Sequence, residues 1–104
     1  METYKVHIET TAITDLGGIA DYITNVLKEP KIAVRILSSI EEKILSLDKL
    51  PHRHATVQDE PYKSRGVRWM LAENYLVFFV INEKDKLVRV FRVSYNRRNW
   101  QNLL

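Results

Sequence analysis

Cysteine is absent from this 104-residue chain, and glycine and proline occur only three times each. Without thiols there is no disulfide framework, no thiolate metal site and no thiol nucleophile, a composition that suits a reducing cytosol. The only adjacent glycines, Gly17-Gly18, are not followed by a Lys-Ser/Thr pair, so no glycine-rich phosphate loop is present. No serine has a histidine and an acid at motif spacing. His52 and His54 are followed by Asp59 and Glu60, but at no recognised metal-ligand spacing; neither a metal nor a cofactor is expected. No window approaches the ~20 apolar residues of a membrane span. Met1-Glu-Thr-Tyr-Lys-Val-His-Ile holds no uninterrupted apolar stretch, so neither a signal peptide nor a membrane is expected, and the expected location is cytoplasmic.

What is present describes one small globular domain spanning 1–104. A hydrophobic fraction of 45% beside 28% charged residues argues against disorder. A chain of this size buries only about two-thirds of its unfolded surface, so its stability is marginal unless a partner adds to it. The net charge of +3 conceals an asymmetry. Residues 1–60 carry 7 Lys/Arg against 10 Asp/Glu, whereas residues 61–104 carry 9 against 3. A basic half on so small a protein attracts polyanions, either nucleic acid or an acidic protein; a solvated basic sheet face is the plainer account of the same charges.

Tyr4-Lys5-Val6-His7-Ile8 alternates with period two and predicts a short strand. Thr10 and Thr11 offer hydroxyls to cap a helix running to about Lys28, with Ile13, Leu16, Ala20, Ile23 and Leu27 as its apolar stripe. Gly17-Gly18 inside it marks a bend, a close backbone approach or a tolerated weak spot. Pro30 suits the first turn of a second helix, whose stripe is Ala33, Ile36, Leu37, Ile40, Ile44 and Leu47. Joined by about two residues, the helices form an antiparallel hairpin that needs a sheet to complete its core. Residues 51–64 read as a polar surface loop. Arg65–Leu71, Tyr75–Ile81 and Leu87–Ser94 read as strands linked by hairpins, the middle one apolar on both faces and therefore central. The fold class is α+β, ordered β-α-α-β-β-β. It is a helical hairpin on a small, mainly antiparallel sheet, with a short C-terminal helical tail after Tyr95.

The chemistry concentrates in the basic half. Arg65, Arg68, Arg92, Arg97 and Arg98 come from neighbouring strands and the segment after them, and are expected to converge on one side of the sheet. The planar guanidinium fork suits bidentate contact with phosphate. Trp69, Tyr75, Tyr95 and Trp100 lie among them, as stacking on single-stranded RNA requires; Tyr75 reads as core and Tyr95 as functional.

Gly66-Val67-Arg68-Trp69-Met70-Leu71-Ala72-Glu73-Asn74-Tyr75-Leu76-Val77-Phe78-Phe79-Val80 resembles a stretch of the RelE/ParE toxins of bacterial type II toxin–antitoxin systems. So does Val90-Phe91-Arg92-Val93-Ser94-Tyr95-Asn96-Arg97-Arg98-Asn99-Trp100. Upstream, Ala12, Asp15, Leu16, Ile19, Tyr22, Ile23 and then Leu47, Leu50 and Pro51 match the family's helical hairpin. The resemblance covers nearly the whole chain in the right order, and it implies a toxin neutralised by a cognate antitoxin encoded alongside. It also implies one of two mechanisms on one fold. RelE-like members act on the ribosome as mRNA endonucleases (mRNA interferases), the 2′-hydroxyl attacking the neighbouring phosphorus with help from acid–base and arginine side chains. ParE-like members inhibit DNA gyrase by protein binding. On the first, Arg68 matches the strand arginine, Tyr95 occupies the strand-end acid–base position, and Arg97 and Arg98 match the basic pair, with Arg65 as a further nucleic-acid contact. His52 and His54 are the alternatives to Tyr95. Few lysines flank the loop and first hairpin, a departure from RNA-cutting members, and Tyr95-Asn96-Arg97-Arg98-Asn99 is as close to the gyrase-directed branch. The resemblance favours the ribonuclease narrowly and treats Arg68 as an exposed strand residue of little structural weight.

Overall fold

The computed structural model describes residues 2–96, Trp100 and Leu104. It contains β1 (Lys5–Ile8), α1 (Thr10–Asp21) continued by a wide π turn over Tyr22–Val26, and α2 (Pro30–Leu45) with a 3-10 turn at Ser46–Asp48. A second 3-10 turn, Pro51–Arg53, precedes β2 (Arg68–Ala72), β3 (Tyr75–Asn82) and β4 (Leu87–Tyr95). The sheet order is β1-β4-β3-β2. The β2-β3-β4 meander is antiparallel, while β1 runs parallel to β4, with Lys5 opposite Leu87 and Ile8 opposite Val90.

β3 is apolar on both faces because both of its faces are covered. Val77 and Phe79 meet Met70, Ala72, Val88, Val90 and Val93 and the helical residues Ala12, Ile40, Ile44 and Leu47. On the other face Leu76 and Phe78 pack with Val57 and Val67, under Tyr62, Phe91, Trp100 and Leu104. Burial of this kind contributes about 25 cal/mol per Å² of apolar surface and is the main force holding the two layers together.

Beyond Val90, β4 has no strand on its β1 side, and α1 takes the strand's place there. A bulge lies there: Phe78 faces Arg92 and Phe79 faces Val90, leaving Phe91 as the extra residue. The Thr11 hydroxyl donates to the Phe91 carbonyl. Asp15 accepts the Val93 N–H at 2.9 Å and a bidentate pair from Arg92, Nε at 2.8 Å and Nη2 at 3.0 Å. Both side chains are largely shielded, so this is an ion pair of low solvent exposure.

Several expectations are corrected. Glu9, not Thr10 or Thr11, is the N-cap residue, and it makes no side-chain cap; its carboxylate binds Arg89 at 2.9 Å. The first stripe is Ala12, Leu16, Ile19 and Ile23, spaced 4, 3 and 4, whereas Ile13 is 57% exposed and Leu27 51% exposed. Ile13 is one residue, about 100° of turn, off the buried face, and the π turn rotates Leu27 away. A Cβ built on Gly17 or Gly18 would meet nothing within 4 Å, so no backbone packs close there. The second stripe holds, with Ala33, Ile40, Ile44 and Leu47 buried and Pro30 in the first turn. The 51–64 loop is not wholly superficial: Pro51 and Val57 are buried, and residues 55–57 run along the outer edge of β2. There the Trp69 N–H donates to the Ala55 carbonyl at 3.0 Å and the Val57 N–H to the Val67 carbonyl at 2.8 Å. β2 starts at Arg68 rather than Arg65, because residues 61–66 form successive turns closed by Gly66 at φ +72°. The predicted helical tail falls mainly on residues 97–99 and 101–103, outside the described residues.

Asp15→Ala leaves the Arg92 guanidinium and the Val93 N–H without their acceptor and should lower unfolding stability by about 2–3 kcal/mol. Gly17→Ala should raise it by up to about 1 kcal/mol. Urea denaturation reads both; a loss below ~0.5 kcal/mol for Asp15→Ala would deny that this carboxylate secures the edge.

Candidate functional site

The sheet carries two distinct polar and aromatic centres at its opposite ends. At the Tyr95 end, the helical hairpin and the ends of β3 and β4 enclose an open groove of about 820 Å³. Ile19, Ile23, Ile32, Ile36 and Val93 supply apolar walls, and Tyr22, Tyr75 and Tyr95 the aromatic ones. Tyr75 and Tyr95 are cross-strand partners, with ring centroids 5.6 Å apart and planes at 69°. Burial first, then the neighbouring Tyr95 and Tyr22, pushes the Tyr75 phenol above its ordinary range. Tyr75 is half-buried, as expected, and Tyr95 is 45% exposed with its ring on the groove. Gly18 lies on the groove wall, where the missing side chain keeps the space open.

At the other end, the segment 51–57 is stitched to the sheet. Arg68 directs Nη1 to the carbonyls of His54 (2.6 Å) and His52 (3.2 Å). The His52 imidazole lies 3.2 Å from Glu83 and edge-on to Tyr4, whose hydroxyl donates to Glu83 at 2.8 Å. Lys86 also reaches Glu83, and together with the Tyr4 hydrogen bond it holds that carboxyl below its ordinary range. His54 turns inward, edge-on to the fully buried Phe79 at 5.9 Å.

The structure thus brings Arg68, His52 and His54 together and places Tyr95 elsewhere. Arg68 is level with Phe79, and Tyr95 with Tyr75, four residues further along and two strands across. At ~3.4 Å per residue and ~4.8 Å per strand, their backbones are roughly 16 Å apart. Arg92 does not join Arg68, being bound to Asp15. Arg65 sits in the exposed turn before β2. Arg97 and Arg98 lie outside the described residues. Among the described residues, no three His, Asp or Glu side chains are grouped to hold a metal, and no helix is long and apolar enough to cross a membrane. Sequence reasoning missed two residues that organise these centres. Asp15 could be found as the lone acid among the first helix's stripe positions; Glu83, in a hairpin turn, carries no such signal.

Comparison with known proteins places this geometry. The family model described as the ParE toxin of the type II toxin–antitoxin system parDE matches residues 6–100. No curated protein matches. Among solved structures, the chromosomal ParDE toxin–antitoxin system of P. aeruginosa is similar at TM-score 0.73 and 23% identity, over 89% of this chain and 96% of that one. The toxin–antitoxin complex RelBE2 of Mycobacterium tuberculosis is similar at TM-score 0.66 and 24% identity, over 89% and 98%. A mutant of the E. coli toxin RelE in the free state follows at TM-score 0.61 and 9% identity, over 91% and 85%.

The two carbonyl contacts of Arg68 revise the expectation that it carries little structural weight. Arg68→Ala should lower stability by about 1–3 kcal/mol, the range for hydrogen bonds to a charged group. It should also strip exchange protection from the Val57 and Trp69 amides, read by hydrogen exchange. Unchanged protection at both would return Arg68 to the role of a free surface cation.

Proposed function

The chain belongs to the ParE toxin family of type II toxin–antitoxin systems, and we propose that it acts by gripping a protein target, DNA gyrase, rather than by cutting RNA. The observation that carries this reading is the setting of Tyr95. Its ring closes an apolar groove beside Tyr75, roughly 16 Å of backbone from Arg68. The Arg68 guanidinium is turned to the loop carbonyls of His52 and His54 at the opposite end of the sheet, so it does not share a site with the Tyr95 hydroxyl. An amphipathic ring on an apolar wall is the arrangement of a protein contact.

A cognate antitoxin fits the same groove. The apolar walls, with Leu27 51% and Ile32 40% exposed on its helical side, suit an amphipathic segment that folds as it binds, and the basic second half of the chain suits an acidic one. An occupant of the groove covers Tyr95, so neutralisation follows from occupancy alone.

The ribosome-dependent endonuclease is the second reading. It is favoured by the exposed hydroxyl of Tyr95 at a strand end, where Arg97 and Arg98 follow two and three residues on. In that case Tyr95 is the acid–base group and mRNA on the ribosome the substrate.

Tyr95→Phe separates the two. For the gyrase inhibitor it should leave toxicity intact while Tyr95→Ala weakens it, and purified toxin should trap gyrase–DNA complexes. For the ribonuclease, Tyr95→Phe should slow messenger cleavage by roughly 10²-fold, the usual size of an acid–base contribution. Codon-mapped cleavage in a translating extract, with gyrase unaffected, would overturn the proposal. Leu27→Asp and Ile32→Asp, at exposed positions, should weaken the antitoxin complex by about tenfold or more without unfolding the toxin, as measured by calorimetry.

A further inference from the structure

His54 is a half-buried side chain that the groove does not use. Its Nε2 has no exposed surface and is the sole described side-chain polar atom so placed with no hydrogen-bond partner. Its ring lies perpendicular to that of the fully buried Phe79, with centroids 5.9 Å apart. The charges acting on it come from its own turn, Arg53, from α2, Lys43, and from β2, Arg68, and all are positive. The backbone of the same residue supplies the shorter of the two carbonyl contacts to Arg68. One residue thus inserts an apolar-facing neutral ring and holds the guanidinium that fastens its segment to the sheet.

We propose that His54 is an acid-sensitive latch: protonation of its imidazole expels the ring, lifts residues 51–57 from the edge of β2 and releases Arg68 from its carbonyl clamp. An imidazolium needs acceptors at both ring nitrogens, and the wall at Nε2 offers none. It would also stand among three cations. Burial first, then Arg53, Lys43 and Arg68, accordingly hold the ring's pKa below the usual histidine range.

The direction of the effect follows from proton binding. The folded chain takes up fewer protons at this site than the unfolded chain, so stability falls as pH drops below the ordinary imidazole range. Less work is needed to free the 51–57 segment than to unfold the core, because it is tied by a few edge hydrogen bonds, the His52 contacts to Glu83 and Tyr4, and the buried side chains of Pro51 and Val57 alone. Opening of the segment is therefore the first response to acid. An opened segment leaves the outer edge of β2 unpaired and the Arg68 guanidinium free of its two carbonyl acceptors.

The test uses the full chain. Amide exchange at Val57 and Trp69, corrected for intrinsic rates, is measured between about pH 7.5 and pH 5 in the parent and in His54→Phe, alongside NMR titration of the His54 ring. The parent amides should lose protection by about tenfold or more on acidification, in step with the ring titration. In His54→Phe, which keeps a flat ring against Phe79 but cannot titrate, protection should stay flat. The same acid loss in His54→Phe would overturn the latch. So would a parent ring that titrates in the ordinary range with both amides undisturbed, a result readable even if the variant fails to fold.

Discussion

The arrangement depends on how one carboxylate closes the edge of β4. A strand half flanked by β1 and half by nothing leaves backbone donors and acceptors unpaired, and an open edge invites mispairing. Asp15 and Thr11 answer this from the helix: the carboxylate takes the Val93 N–H, and the hydroxyl gives its proton to the Phe91 carbonyl. The bulge at Phe91 turns Arg92 toward Asp15, so the same carboxylate ties α1 to the sheet through both backbone and side chain. The axis of α1, and with it the width of the groove between helix and strand ends, follows from this attachment. Had β1 continued past Ile8, α1 could not have reached the strand, and there would be no groove.

What was legible in the residues follows physical lines. The second helix was read correctly because its stripe faces a continuous core and Pro30 fixes its start. β3 was recognised as central because seven successive apolar residues make sense only with cover on both faces. The first helix was out of phase at Ile13 and Leu27 because several phases of a stripe rich in apolar residues satisfy the same spacing, and the π turn breaks the period without a sequence marker. The edge segment 55–57 was invisible because Ala55 and Val57 are the only apolar residues in a polar run, and its pairing is through the backbone. Arg92 does not converge with Arg68 as expected, for a different reason. Adjacency in a meander places residues on neighbouring strands, but register and parity decide which end and which face each one occupies, and the acids that bind them come from distant parts of the chain.

The two ends of the sheet consequently do different work. Around Glu83, His52 and Arg68, polar groups are bound to one another and to backbone carbonyls, closing the loop onto the edge strands. Around Tyr95, the surface is apolar, aromatic and open. The excess of basic residues belongs to the second half of the chain, whereas the groove itself is lined, among the described residues, by Asp15 and Glu29 and by no Lys or Arg. The place where another chain can bury apolar surface is thus local, at the groove, while the polar end is already satisfied within the fold.

The groove also accounts for features that look unfavourable in an isolated domain. Two glycines inside a helix cost about 1 kcal/mol each against alanine, and no neighbouring backbone requires them. Exposed Tyr22, Val26, Leu27 and Ile32 leave apolar area in water that a self-sufficient fold would cover. Both are consistent with a wall shaped to admit another chain: Gly18 keeps it low, and the exposed side chains give it affinity. A partner that binds only the folded form adds RT ln(1 + [L]/Kd), about 2.7 kcal/mol at a hundredfold excess over Kd. That gain exceeds the combined cost of the glycines and is comparable with the loss expected from cutting the Asp15 attachment. The free chain is then less stable than the same chain with its groove occupied, and the exposed apolar wall is the surface that makes the difference.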